Sequence, residues 1–241
     1  MEITHMKIII LVTTIAAAIS VLPAASYGQL VNGGFELPQA ASGGSLSYFA
    51  GSTAITGWTV LGSSGVSLIN TNKSELDNGM DAFNAFEGTQ SLDLTGINDD
   101  NHPTLLSSGV TQDVTTIPGI TYTLTFYLGR ACGTASIYST PAMADLSIDG
   151  GALVAFTNSN LTPGYVNWKG FTYEFMATGA TTAFTFMNGT TSNNYDGLDG
   201  VQLLTPEPPA NSLILLATVS ITCIGLKHKH AQRPSQSTPV A

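Results

Sequence analysis

The run Thr121-Tyr122-Thr123-Leu124-Thr125-Phe126-Tyr127-Leu128 alternates strictly, with Tyr122, Leu124, Phe126 and Leu128 on one face and Thr121, Thr123, Thr125 and Tyr127 on the other. Successive side chains point to opposite sides only in an extended chain, so a period of two specifies a strand with one buried face. The threonines suit it, because β-branched side chains lose little freedom on a pleated surface. A Pro118-Gly119 turn precedes the run, and the same style continues on both sides of it. Downstream, 144–148, 153–157, 167–176 and 181–187 read as strands, separated by Asp149-Gly150-Gly151, Pro163-Gly164 and Thr178-Gly179. Phe171, Tyr173 and Phe175 share a face of their segment, as Phe184 and Phe186 do on theirs. Upstream, 52–60, 66–69, 90–94 and 110–114 read as strands, and 199–204 closes the set.

Two stretches break the pattern. Residues 40–47 form a Gly/Ser/Ala loop, and 70–88 is a polar excursion holding Glu75, Asp77, Asp81 and Glu87, with a single turn expected over 81–86. About ten short strands with frequent turn signals and no sustained helical period predict an all-β sandwich. No internal repeat points to a propeller or solenoid.

The two ends are of different character. Lys7 precedes an apolar stretch over 8–25 that closes on Ser26-Tyr27-Gly28. This reads as a secretory signal peptide, residues 1–28, cut before Gln29. The sandwich domain is assigned to 29–205. Pro206-Glu207-Pro208-Pro209, a linker over 206–209, denies the backbone donors that a strand or helix interior needs. The apolar segment 210–226 is about as long as the shortest bilayer-spanning helices. Lys227-His228-Lys229-His230 then opens a basic tail, 227–241, expected on the cytoplasmic side.

Between the ends only Lys73, Arg130 and Lys169 are basic, against fourteen of the sixteen acidic residues, a balance of −11. No basic face exists for a phosphate backbone, which excludes nucleic-acid binding. An acidic, lysine-poor surface suits an extracellular protein and one that meets divalent cations. Cys132 is the one cysteine of the domain, since Cys223 lies in the apolar segment, so no disulfide framework is available. Of four histidines only His102 falls in the domain, and G-x-S-x-G and H-E-x-x-H are both absent. The chain therefore reads as noncatalytic.

The C-terminal order of Pro-Glu-Pro motif, membrane helix and basic cluster resembles the PEP-CTERM sorting signal. The resemblance implies an exosortase-type sorting transpeptidase as partner, membrane contact through the helix before processing, and delivery to the cell surface or exopolysaccharide matrix of a Gram-negative bacterium. The domain itself resembles the galactose-binding-like jelly rolls of extracellular carbohydrate-binding modules and choice-of-anchor proteins. The residues that carry this are Val31-Asn32-Gly33-Gly34-Phe35-Glu36, Ile55-Thr56-Gly57-Trp58-Thr59-Val60, 87–94, 119–126 and Leu198-Asp199-Gly200-Val201-Gln202-Leu203. That likeness implies a jelly-roll β-sandwich and a structural calcium where the first and last strands meet, with Glu36 and Asp199 as ligands and Asp93 as a third.

For a sugar, aromatic faces must stack on the apolar patches of a pyranose while polar groups take its hydroxyls. Trp58, Tyr138, Tyr165, Trp168 and Tyr195 are the candidate platforms, and Arg130, Asn193 and Asn194 the polar partners. Trp58 follows an alternating strand and reads as core, whereas Tyr165 and Tyr195 sit in loop-like sequence. The expected function is that of an adhesive or weakly glycan-binding protein of an extracellular polysaccharide matrix or biofilm. A ligand-free structural matrix protein and a polysaccharide-active enzyme are the rival readings.

Overall fold

The computed structural model describes residues 29–62, 65–96, 108–133, 138, 140–190 and 195–204. Its strands are β1 (Ser45–Tyr48), β2 (Thr59–Leu61), β3 (Val66–Asn70), β4 (Gln90–Asp93), β5 (Gly109–Thr115), β6 (Thr121–Ala131), β7 (Ala142–Ile148), β8 (Val154–Asn158), β9 (Val166–Met176), β10 (Thr181–Asn188) and β11 (Asp196–Leu204). One sheet runs β1-β3-β4-β11-β6-β9 and the other β2-β5-β10-β7-β8. The pairings within both sheets are antiparallel. The all-β sandwich expected from the alternation is therefore the fold. The expected signal peptide, proline linker, apolar segment and basic tail lie outside the described residues. Among the described residues no helix is long and apolar enough to cross a membrane.

β6 turns Tyr122, Leu124, Phe126 and Leu128 inward, each essentially inaccessible to solvent. It pairs with β9 over its whole length, which sets Phe126 opposite Phe171 at 5.6 Å between ring centroids. From the facing sheet Phe186 meets Phe126 edge-on at 5.0 Å, and Phe156 does the same from β8. Full burial of each such ring contributes about 1.5–3 kcal/mol. Trp58, Phe35 and Phe184 complete the aromatic centre, and Cys132 is a buried free thiol.

The first residues dock on the last strand. Asn32 and Phe35 both have positive φ, at 55° and 54°. The Asn32 side chain holds this turn, donating to the Leu37 and Thr56 carbonyls and accepting from Leu37 N at 3.0 Å. Phe35 is thereby dropped against Trp58, 5.2 Å away. Gly33 O accepts from Val201 N at 3.0 Å, where β11 shifts register between Asp199 and Gln202. A Cβ on Gly33 would stand 1.9 Å from Val201 O, so the approach requires glycine.

Three local expectations are corrected. The 52–60 segment is strand only at its end, because Gly57 at φ 82° makes a turn that delivers Ile55 and Trp58 to the core without a ladder. The end of the expected 40–47 loop instead belongs to the edge strand β1, which pairs with β3 and joins Ser47 to Ser67 through their hydroxyls at 2.9 Å. The helical turn of the excursion is a 3-10 turn at Leu76–Asn78, not a turn over 81–86.

Candidate functional site

The outer face of the six-stranded sheet carries the site. Its outward positions are the polar half of the β6 alternation, Thr123, Thr125 and Tyr127, with their partners on β9 and β11. Part of this face is closed by the 71–86 excursion, which buries Met80 and Phe83 in a second apolar cluster with Ile69, Ala131, Tyr138, Val166 and Tyr195. Asn84 fastens the excursion to β9 in the manner of a strand partner, donating to Val166 O at 3.1 Å and accepting from Val166 N at 2.9 Å. Glu75, inside the excursion, accepts from the Tyr138 hydroxyl and pairs with Lys73 at 3.3 Å. Burial raises its pKa, but these partners and Asn78 outweigh burial and hold it below the ordinary glutamate value.

Where the excursion ends, Phe86 lies flat on Tyr127, with centroids 3.4 Å apart and planes 15° from parallel. Beside this pair the face opens into a cleft of about 370 Å³ lined by Phe86, Thr125, Tyr127, Gly170, Phe171, Thr172 and Gln202. Phe171 turns its ring inward to Phe126, so the cleft offers two stacked rings, two threonine hydroxyls and one amide, with no ionisable carboxylate or cation among its lining residues. Gly170 is part of the construction. A Cβ there would come 3.0 Å from the Tyr127 ring, crowding it against Phe86.

Asp199 sets the position of the Phe86 ring. Its carboxylate is fully buried and accepts from Phe86 N (2.9 Å) and Glu87 N (3.2 Å) on Oδ2 and from Gly200 N (2.7 Å) on Oδ1. Burial pushes its pKa up to about 8 against the pull of those three amides, and the neighbouring Glu87 adds to the rise.

The structure distributes the sequence-derived candidates unevenly. Trp168 backs the cleft wall: its indole donates to Asn84 O at 2.9 Å and its ring meets Phe86 at 6.3 Å. Tyr165 is 47% exposed just ahead of β9, apart from the lining residues. Tyr195 is buried, with its hydroxyl 2.6 Å from Ser91 Oγ, and presents no face to a ligand. Arg130 is buried too, donating to the carbonyls of Thr140, Ser159 and Asn160. Trp58 packs in the core, and Tyr138 belongs to the second cluster. Asn193, Asn194 and His102 lie outside the described residues.

The three carboxylates expected at a calcium site separate into two places. Glu36 and Asp199 flank segment 86–90. Glu36 accepts from Thr89 N and Gln90 N on Oε1 and from the Thr89 hydroxyl on Oε2. All four oxygens of Glu36 and Asp199 accept hydrogen bonds from protein donors. Asp93 is instead drawn to Asp196, a residue that the sequence reading did not select. Among the described residues no three His, Cys, Asp or Glu side chains converge.

Fold and cleft together define a two-sheet antiparallel sandwich with a ligand-sized recess on one outer face. The family model described as "Protein of unknown function (DUF642)" matches residues 28–197, and the chain belongs to that family. No curated protein matches the chain. Among solved structures it is similar to TmCBM61 in complex with beta-1,4-galactotriose, at 14% identity over 63% of this chain and 90% of that one, with a TM-score of 0.39. It is also similar to a family 35 carbohydrate binding module from Clostridium thermocellum, at 12% identity over 67% and 98% of the two chains and a TM-score of 0.37. The CBM22-1 xylan-binding domain of Paenibacillus barcinonensis Xyn10C matches at 18% identity over 69% and 97%, with a TM-score of 0.37.

Proposed function

We propose that this protein binds a neutral glycan in the cleft beside Phe86 and Tyr127, without catalysis, as an exported component of a cell surface or polysaccharide matrix. The observation that carries the reading is the stacked pair at the cleft edge: Phe86 keeps 39% of its surface exposed although apolar side chains of that size are usually buried. A pyranose presents apolar C–H patches to such a ring and hydroxyls to Thr125, Thr172 and Gln202. The absence of charge among the lining residues favours neutral sugars, and the acidic balance of the domain repels uronic-acid polymers. Export and sorting rest on the sequence of the two ends alone.

Affinity electrophoresis of the protein through gels containing single soluble polysaccharides tests this. Retardation by at least one neutral polymer, abolished in Phe86→Ala, is expected. Equal migration of both proteins in every gel points to the structural rival, and release of reducing ends points to the enzymatic one. Export is tested separately by mass spectrometry of the mature protein, which is expected to begin at Gln29.

A further inference from the structure

Leu204, the last residue of β11, leaves the sandwich at a definite end. β11 and β9 both run antiparallel to β6, so both finish where β6 begins: Leu204 lies opposite Thr123, and Met176 opposite Thr121. The turns 116–120 and 177–180, which cross between the sheets, lie side by side at this end. Ala177 N donates to Ile120 O at 2.9 Å, and Thr116 N to Ala180 O at 3.0 Å. β7, antiparallel to β10, also runs toward this end and turns there into β8 through 149–153.

Large apolar side chains stand free at this end. Ile120 is 36% exposed, Leu153 60%, Met176 62% and Leu204 48%. The three turns are otherwise built from Gly, Ala, Thr, Ile and Pro, with Asp149 their one charged residue, its Oδ1 already accepting from Ala183 N at 2.7 Å. Exposed apolar side chains are ordinary when scattered singly, whereas several gathered at one end mark a contact surface. The chain that follows names the partner. Thr205-Pro206-Glu207-Pro208-Pro209 separates Leu204 from the apolar segment 210–226. A proline-rich tether of that length is stiff and reaches only about 16 Å. A segment as long and apolar as 210–226 is taken up by a bilayer, and the exit end of the sandwich is then held at the headgroups.

We propose that this end of the sandwich docks on a lipid surface, Ile120, Leu153, Met176 and Leu204 dipping among the headgroups while the strands stand along the membrane normal. The proposal rests on the reading of 210–226 as a membrane segment and is independent of the glycan. Charge selects the lipid. The three turns carry no basic side chain, Glu174 lies two residues before Met176, and the domain is acidic throughout, so a zwitterionic surface is the match and an anionic one is repelled. The cleft on the outer face then opens sideways. Its row Thr172, Thr125 and Gln202 lies two residues along the strands from Leu204, about 7 Å further from the bilayer.

The test places a fluorescent bimane on single cysteines of the full chain, reconstituted into phosphatidylcholine vesicles that carry a nitroxide just below the headgroup. Cys223→Ser is the background, and Cys132 is buried and so stays unlabelled. Met176→Cys and Leu204→Cys report on the docking end. Leu161→Cys, 63% exposed beyond β8, reports on the opposite end. The chain is expected to float with the vesicles, and the probes at 176 and 204 to lose about half of their emission or more, as groups at the headgroup boundary do, while the probe at 161 keeps its own. If one of the two docking-end variants fails to fold, the other carries the measurement. Flotation with all three probes bright overturns the docking and leaves the membrane segment standing. Equal quenching at 161 and 176 also overturns it, because no one end then faces the lipid. A chain that does not float removes the membrane reading and the proposal with it. Retardation by a neutral polysaccharide is unaffected by any of these outcomes, so the lipid and the sugar readings fail independently.

Discussion

Asp199 and Phe86 are joined by a 2.9 Å hydrogen bond from the Phe86 amide to Asp199 Oδ2, and this link from β11 to the end of the excursion aims the ring that lies on Tyr127. Three backbone amides depend on the same carboxylate. Asp199→Ala is therefore expected to destabilise the fold by about 2–4 kcal/mol in denaturant unfolding, since buried amides lose their acceptor. Asp199→Asn, which keeps an amide oxygen for the Phe86 and Glu87 donors, is expected to cost less than half as much. Equal losses in the two variants would refute the role given to the acceptor.

Phe86→Ala removes one member of the stacked pair while leaving its backbone bond to Asp199 possible. Stability is expected to fall by only about 0.5–1.5 kcal/mol, the usual worth of an aromatic pair at a partly exposed position. Glycan affinity is expected to fall about tenfold or more, the effect of losing roughly 1.4 kcal/mol of contact. Isothermal titration with a polymer that retards the parent protein measures it. A large loss of stability with affinity intact would mean that Phe86 is core and not platform.

Gly33→Ala tests the docking of the N-terminal turn on β11. The added methyl meets Val201 O at 1.9 Å, and the obstacle is backbone, so either the turn or the bulge must move. A loss of about 1–3 kcal/mol is expected from such overpacking. Hydrogen exchange should show Val201 N, which donates to Gly33 O, losing protection ahead of the β6 amides.

Titration of the buried carboxylates makes stability depend on pH in a defined direction. Burial lifts Asp93 to about 7 and Asp199 to about 8, both above the ordinary aspartate value of 3.8. A raised folded-state pKa means that the native protein holds its proton after the unfolded chain has released it. The contribution of these groups is thus complete below about pH 4 and is lost as pH climbs through 7 and 8. Chelator-treated protein is expected to show a falling unfolding free energy between pH 5 and 8, and Asp199→Asn a shallower fall. A rising profile over that interval, in the absence of divalent cations, would contradict the assignment.

What was legible in the sequence follows how local the responsible physics is. Alternation over 121–128 reports a single property, the side to which each residue points, and it gave both the buried face of β6 and its outward threonines and Tyr127. The excursion was legible as polar and irregular, but its return across the sheet depends on Asn84 meeting Val166 and on Asp199 meeting Phe86, pairs separated by 82 and 113 positions. No local pattern encodes those meetings. Tyr195 looked like a loop aromatic because Asn and Gly surround it; its burial comes from Phe83, brought over from the excursion to 5.4 Å. Arg130 looked available for sugars, yet it donates to three carbonyls, Thr140 ahead of β7 and Ser159 and Asn160 after β8. Asp196 was passed over because a lone aspartate at the start of a strand is ordinary, and only its enclosure beside Asp93 makes it otherwise.

The buried thiol of Cys132 has no second cysteine within the sandwich to pair with. No disulfide can therefore join the layers, so the fold is indifferent to redox potential. Dithiothreitol should leave its unfolding midpoint unchanged, and refolding should need neither oxidant nor isomerase. A domain of this kind reaches the same native state in a reducing cytosol, an oxidising periplasm or open medium, and its assembly places no demand on the thiol chemistry of the compartment that receives it.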